Sequence, residues 1–143
     1  MTQIYLDPTQ EQGRDFFMSG LQGAVTMLNL LRFREVADYS AFPHLAPATL
    51  ITGQQAYTRY MQHTMPFLQA SGGELLFYGE GKSFLVGPSD EQWDAAMLVR
   101  QASAPSFLAF ATNTDYLRGI GHRVAALSDS RILPLTQRDL CAV

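Results

Sequence analysis

The chain has one lysine and one cysteine. Lys82 is that lysine, so nine of the ten basic residues are arginines, and thirteen Asp and Glu leave a net charge of −3. No basic tract occurs. Nucleic-acid binding rests on a basic face that neutralises phosphates, so that partner is not expected. Cys141 stands alone near the end of the sequence, which rules out an intrachain disulfide. No apolar run approaches the ~20 residues that span a bilayer, and no membrane partner is expected. The first 22 residues lack the basic start and apolar core of a secretory leader, which points to a reducing cytoplasm. Charge is sparse, at 16% against about 25% in an average domain, while 47% of residues are hydrophobic. A disordered chain shows the opposite balance. The 143 residues, with no linker or low-complexity stretch, read as one domain over 1–143.

Local signals give an order of elements. Asp7-Pro8-Thr9-Gln10 reads as a helix start with Asp7 as N-cap, in a helical extension over 1–22 that turns Phe16, Phe17 and Leu21 inward. The near-continuous apolar run from Ala24 to Phe33 reads as a strand buried on both faces. Residues 35–52 hold Pro43 and Pro47 without clear periodicity, as a lid or interface loop would. Thr52 and Gln55 form a capping box for a helix whose inward stripe is Tyr57, Tyr60, Met61, Thr64 and Leu68, and Gly72-Gly73 ends it.

Glu74 to Val86 is strand-like, and its Gly79-Glu80-Gly81 interruption is either a hairpin turn or a bulge. Trp93 to Gln101 is a strand, and Ser103 caps a helix with Pro105 in its first turn. A helix over 115–127 with Leu117, Ile120, Val124 and Leu127 inward and a short strand over 131–135 complete the chain. This is an α+β pattern of two split β-α-β halves, the ferredoxin-like arrangement with an antiparallel sheet.

Both faces of that sheet are apolar. Val25, Met27, Leu31, Trp93, Met97 and Val99 lie on the odd face, and Leu28, Leu30, Ala96 and Leu98 on the even one. Helices cover one face, and leaving the other open would expose a large apolar patch. A homodimer packed sheet against sheet removes it.

Several motif tests fail. Gly81-Lys82-Ser83 imitates the end of a phosphate-binding loop, but Leu76 stands where the first glycine belongs. No dinucleotide fingerprint and no Gly-x-Ser-x-Gly elbow occurs. His44, His63 and His122 have no second ligand at metal spacing. No metal, flavin or nucleotide cofactor is expected.

Met27-Leu28-Asn29-Leu30-Leu31-Arg32-Phe33, Ala56-Tyr57-x-x-Tyr60, Gly72-Gly73, Gly79-x-Gly81, Ser103, Asp115-Tyr116 and Arg123 together resemble an uncharacterised family, a domain of unknown function, within the dimeric α/β-barrel superfamily of ferredoxin-like proteins. The chain departs from the family pattern at Gln101-Ala102-Ser103 and in its N-terminal helix. The resemblance implies a dimer, one long kinked strand through Gly79 and Gly81, and a ligand cleft between sheet and helices. The superfamily includes cofactor-free monooxygenases, small-ring isomerases, haem-handling enzymes and ligand-sensing modules, and fold analogy does not choose among them.

Within that cleft the candidates are polar residues out of place. Asn29 interrupts an apolar strand, where a buried amide needs partners. Arg123 carries a fork suited to a carboxylate, or pairs with Asp94, Asp129 or Glu74. Tyr57, Tyr60 and Trp93 are expected as walls, and the 35–52 loop as a cover. His63, at the edge of the tyrosine stripe, is a candidate base, with a tyrosine as the alternative for proton transfer, while His122 reads as solvent-facing. If the first and third strands pair with indices summing to about 126, Arg32 lies beside Asp94 and an ion pair is expected. Two classes stay open: a cofactor-free oxygenase- or isomerase-like enzyme, and a non-catalytic binding or sensor module.

Overall fold

A computed structural model describes residues 3–140. Cys141 lies outside the described residues. Strand β1 (Val25–Phe33) forms from nine residues free of glycine and proline, and Val25, Met27, Asn29 and Leu31 are buried on one face. It is central. Strand β3 (Ala95–Gln101) runs antiparallel on one side and β4 (Leu127–Leu135) on the other, with β2 (Glu74–Glu80) beyond β3. The order β2-β3-β1-β4 is that of two interleaved β-α-β halves, so the fold is ferredoxin-like. The β1–β3 register runs from Val25↔Gln101 to Leu31↔Ala95, each pair summing to 126 as expected.

Helix α1 (Gln10–Phe17) precedes the sheet, and α2 (Gly53–Ala70) connects β1 to β2. Three short helices, α3 (Ala104–Ala111), α4 (Thr114–Leu117) and α5 (Ile120–Ala126), connect β3 to β4. The Thr52 hydroxyl accepts from the Gln55 N–H at 3.0 Å, and the Gln55 side chain accepts from the Thr52 N–H at 2.9 Å. That reciprocal cap starts α2, and Tyr57, Tyr60, Thr64 and Leu68 then turn inward at helical spacing. Gly72, at φ +84°, takes the left-handed turn that ends the segment.

Several expectations need correction. Thr9, not Asp7, caps α1, because Gln12 stands three residues later and completes the reciprocal bonds. Nothing in α1 is buried: Phe16 is half-buried, and Phe17 and Leu21 are exposed. The helix attaches through the rings of Phe16 and Phe17, 6.0 and 6.2 Å from that of Phe107.

Gly79-Glu80-Gly81 is not a hairpin turn, and the regular strand ends at Glu80. The Gly81 N–H still donates to the Asp94 carbonyl at 3.0 Å, and pairing resumes at Ser83↔Gln92, so the chain reverses after that bridge. The bulge lies earlier, between Leu75 and Phe77.

The expected helix over 115–127 is broken at Gly119, and β4 starts at Leu127 directly after α5, far earlier than Arg131. Helix α5 packs chiefly on α2 and the 35–52 loop, and it does so on a face of small side chains. Gly119, Gly121, Ala125 and Ala126 are therefore buried, while Leu117 is exposed and Ile120 and Val124 are half-buried. A Cβ on Gly121 would come within 2.5 Å of the Phe42 ring.

Arg32 lies beside Asp94 in register yet does not pair with it. The Asp94 carboxylate accepts the Phe33 N–H at 2.7 Å, and Arg32 reaches across to Asp129 at 3.2 Å. The Arg32 guanidinium is held instead by the Gln92 carbonyl, at 3.0 and 2.7 Å, and by Asp129.

The helices cover the face of Val25, Met27, Asn29 and Leu31. On the opposite face Leu133, Leu28, Leu98 and Phe77 stand side by side across all four strands. Leu28 and Leu98 are half-buried there, and Phe77 and Leu133 are more than half exposed.

Candidate functional site

The helices do not close fully on the sheet. Between them lies a cavity of about 400 Å³, within the range of about 300–1,000 Å³ usual for small-molecule sites. Its body is apolar and rich in methionine: Met27 and Met97 rise from the sheet, Met61 and Met65 come from α2, and Phe110 closes from α3. Methionine is flexible and polarisable, so such walls adapt to irregular shapes.

Strand alternation brings Asn29 into this cavity, since it shares the parity of Met27 and Leu31. Its side-chain N–H donates to the Met27 carbonyl at 3.2 Å. Tyr57 and Tyr60 enter from α2, Tyr116 from α4 and Arg123 from α5. The Tyr60 and Tyr116 hydroxyls are hydrogen-bonded to each other at 2.7 Å. Burial pushes the Tyr57 and Tyr116 hydroxyls well above the ordinary phenol range, Tyr60 adds to the shift, and the Arg123 charge opposes it. Both keep their protons near neutral pH and offer hydrogen-bond donors.

Arg123 is 8% exposed. One terminal nitrogen donates to the Leu6 carbonyl at 2.8 Å and the other to the Ser130 hydroxyl at 3.4 Å. None of the three carboxylates expected as alternative partners pairs with it. Asp129, the nearest candidate in the fold of β4, is taken by Arg32 at 3.2 Å and Arg131 at 2.8 Å. Two further buried side chains on the wall lack partners: the Thr64 hydroxyl, and both the nitrogen and the oxygen of the Gln101 amide. The argument that singles out Asn29 applies equally to Gln101. It has the same parity as Met97 and Val99, so alternation along β3 was the available signal.

Three expected features lie elsewhere. Trp93 is not a wall of this cavity. It is buried under Arg32, whose guanidinium carbon is 4.3 Å from the ring centre, and it donates to Glu91 at 3.0 Å. His63 is outside as well, with Nε2 2.9 and 3.1 Å from the carbonyls of Asp115 and Tyr116. The 35–52 loop folds back on the junction of α2 and α5, where the Ala37 N–H donates to Ile51 and the Asp38 N–H to Ala125. The cavity mouth is formed instead by Leu6, Asp7, Pro8 and Phe17 of the N-terminal segment, against Phe107 and Leu108 of α3. His122 is not solvent-facing: it is half-buried, and its Nδ1 is 2.7 Å from the Tyr39 hydroxyl. Burial and the nearby Arg59 lower its pKa.

A second cleft of about 390 Å³ at the other end of the sheet has mixed charge, with Arg34 and Lys82 facing Glu35, Glu80 and Asp94. Among the described residues no group of three or more His, Cys, Asp or Glu is placed to hold a metal ion. No helix among them is long and apolar enough to cross a membrane.

The sheet order and the cavity beneath it define a ferredoxin-like α+β protein. Two crystal structures of the RPA0582 protein, one of methylated protein and one described as a protein of unknown function from Rhodopseudomonas palustris, are each 30% identical to this chain. They cover 96% of it, and it covers 98% and 99% of them, with TM-scores of 0.85 and 0.84. The chain belongs to the same family as the RPA0582 protein. A "dabb family protein with a ferredoxin-like fold" from Mesorhizobium loti is 11% identical, with coverage of 82% and 100% and a TM-score of 0.48. A dimeric ferredoxin-like protein of unknown function from Thermobifida fusca is 12% identical, with coverage of 80% and 92% and a TM-score of 0.47. No family model and no curated protein matches the chain.

Proposed function

We propose that this protein is a homodimeric binding or sensing module for a small, partly apolar, oxygen-bearing molecule held between the sheet and the helices. One observation carries this reading: a methionine-lined cavity whose wall carries Asn29, Arg123 and the unpartnered Thr64 and Gln101 side chains. Buried polar atoms without partners cost about 1–3 kcal/mol each, and an oxygen-bearing occupant offsets that cost. Tyr57 and Tyr60 contribute the rigid part of the wall.

The enzymatic alternative, a cofactor-free oxygenase or isomerase, needs a titratable group poised near neutral pH beside the ligand. His63 was the candidate base, but its ring does not line the cavity, and its Nε2 faces the carbonyls of Asp115 and Tyr116 outside it. The buried tyrosines at Tyr57 and Tyr116 hold their protons too firmly to act as bases. Binding without turnover is therefore preferred.

The test uses the methionine methyl groups. In a methyl NMR titration with small aromatic acids, esters and ketones, Met27, Met61, Met65 and Met97 are expected to shift together, while Met18, 77% exposed, stays unmoved. Asn29→Leu loses one hydrogen bond of 3.2 Å, so the fold is expected to survive at a cost of about 1 kcal/mol. Stabilisation by those compounds in a thermal melt is expected to disappear. If it survives in Asn29→Leu, Asn29 is a structural residue and plays no part in binding. If no compound moves the four methyls, the cavity is not a binding site.

A further inference from the structure

We infer that the ligand is an apolar monocarboxylate, an aryl- or alkyl-carboxylic acid, with its carboxylate on Arg123. This rests on the cavity being the binding site and goes further in naming the chemical class. Among the described residues, the side chains lining the cavity include one positive charge, Arg123, and one negative charge, Asp7. Asp7 is exposed at the rim and makes no ion pair with Arg123. The Asp129 carboxylate, next to Ser130 in the chain, already serves two other arginines. Arg123 is thus a buried cation whose protein partners are a carbonyl and a hydroxyl, both neutral.

A buried charge without a counter-charge is expensive, and among the described residues no carboxylate forms an ion pair with Arg123. A planar guanidinium has five N–H groups in a fork matched to a carboxylate, and two of the five are engaged. Asn29, Tyr57, Tyr60 and Tyr116 line the same cavity, and of the bonded Tyr60–Tyr116 hydroxyl pair one O–H remains to donate to a carboxylate oxygen. From Asn29, opposite Met97, the cavity continues along β3 past Val99 to Gln101, four residues on. That is roughly 13 Å at about 3.3 Å per residue, lined mainly by methionine and aliphatic side chains until the Gln101 amide at its far end. One charged end and a long apolar remainder describe a carboxylic acid with a hydrocarbon body. A phosphate or a dicarboxylate would leave charge against the methionines.

The probe is 3-phenylpropionate, compared with its uncharged isostere 3-phenylpropanamide, each titrated into the full chain by calorimetry and by the methionine methyl shifts. The acid is expected to bind at least tenfold more tightly than the amide. In Arg123→Gln that ratio is expected to fall to near one, and Arg123→Lys is expected to restore part of it. Equal affinity of acid and amide for the unmodified protein overturns the carboxylate assignment while leaving the cavity as a binding site. Retention of the full ratio in Arg123→Gln overturns it as well. If neither probe shifts the cavity methyls at millimolar concentration, the binding site itself is refuted. Should Arg123→Gln fail to fold, the ratio measured on the unmodified protein decides the question.

Discussion

Asp129 shows how one carboxylate organises a neighbourhood. Burial alone would raise its pKa, but the N–H of Tyr5, the Arg131 guanidinium and the N–H of Ser130 outweigh burial and hold it below the ordinary value of 3.8. A carboxyl lowered on folding contributes stability that is complete above the unfolded pKa and lost as pH falls through the folded one. The fold should therefore lose stability below about pH 4, as Asp129 takes up a proton and releases Tyr5, Arg32 and Arg131. Urea denaturation at steps between pH 5 and 2 is expected to show this slope, and Asp129→Asn is expected to flatten it. If the variant keeps the same slope, another carboxylate is responsible.

Among the elements, the start of α2 is the tightest joint. Gly53 packs so closely that a Cβ there would collide with the Arg34 carbonyl oxygen and lie 2.6 Å from that of Ala126. Both are backbone atoms with little freedom to move. The Gly53 N–H also donates to the Arg34 carbonyl at 3.0 Å, and the Arg34 N–H to Ala126 at 2.8 Å. Gly53→Ala is expected to destabilise the protein by about 3 kcal/mol in chemical denaturation, the upper end of overpacking costs. Gly13→Ala, inside α1 with nothing within 4 Å of the new Cβ, is the contrasting control and is expected to stabilise by about 0.5–1 kcal/mol.

This joint also marks where sequence reading ran out. Pattern alone located β1, α2 and β3, because capping boxes and alternation are local signals. The break at Gly119 and the early start of β4 were not readable, because they depend on how closely α5 approaches α2 and the 35–52 loop, a tertiary matter. The same division holds at the cavity. Alternation and helical spacing put Asn29, Tyr57 and Tyr60 on one side, whereas Trp93, on the same face, was drawn away by Arg32 and by its bond to Glu91.

For the whole molecule, the open question is what covers the face of Leu133, Leu28, Leu98 and Phe77. We propose a second copy. Leu28 and Leu98 sit on the two central strands, so they would lie at the middle of a sheet-to-sheet contact. Leu28→Glu would bury an unpaired charge there and is expected to convert a dimer into single chains or unfold it. Sedimentation at micromolar concentration checks this, and a single-chain mass for the unmodified protein refutes it. Trp93 has an optical consequence for all such work. The one tryptophan in the chain lies under Arg32 and 5.1 Å from the Arg131 guanidinium, and Arg131 in turn lies 4.7 Å over the Tyr5 ring. Its emission therefore follows the arginine cluster and the N-terminal segment tied to it. Fluorescence will register acid release of that segment and stay dark to a guest among the methionines.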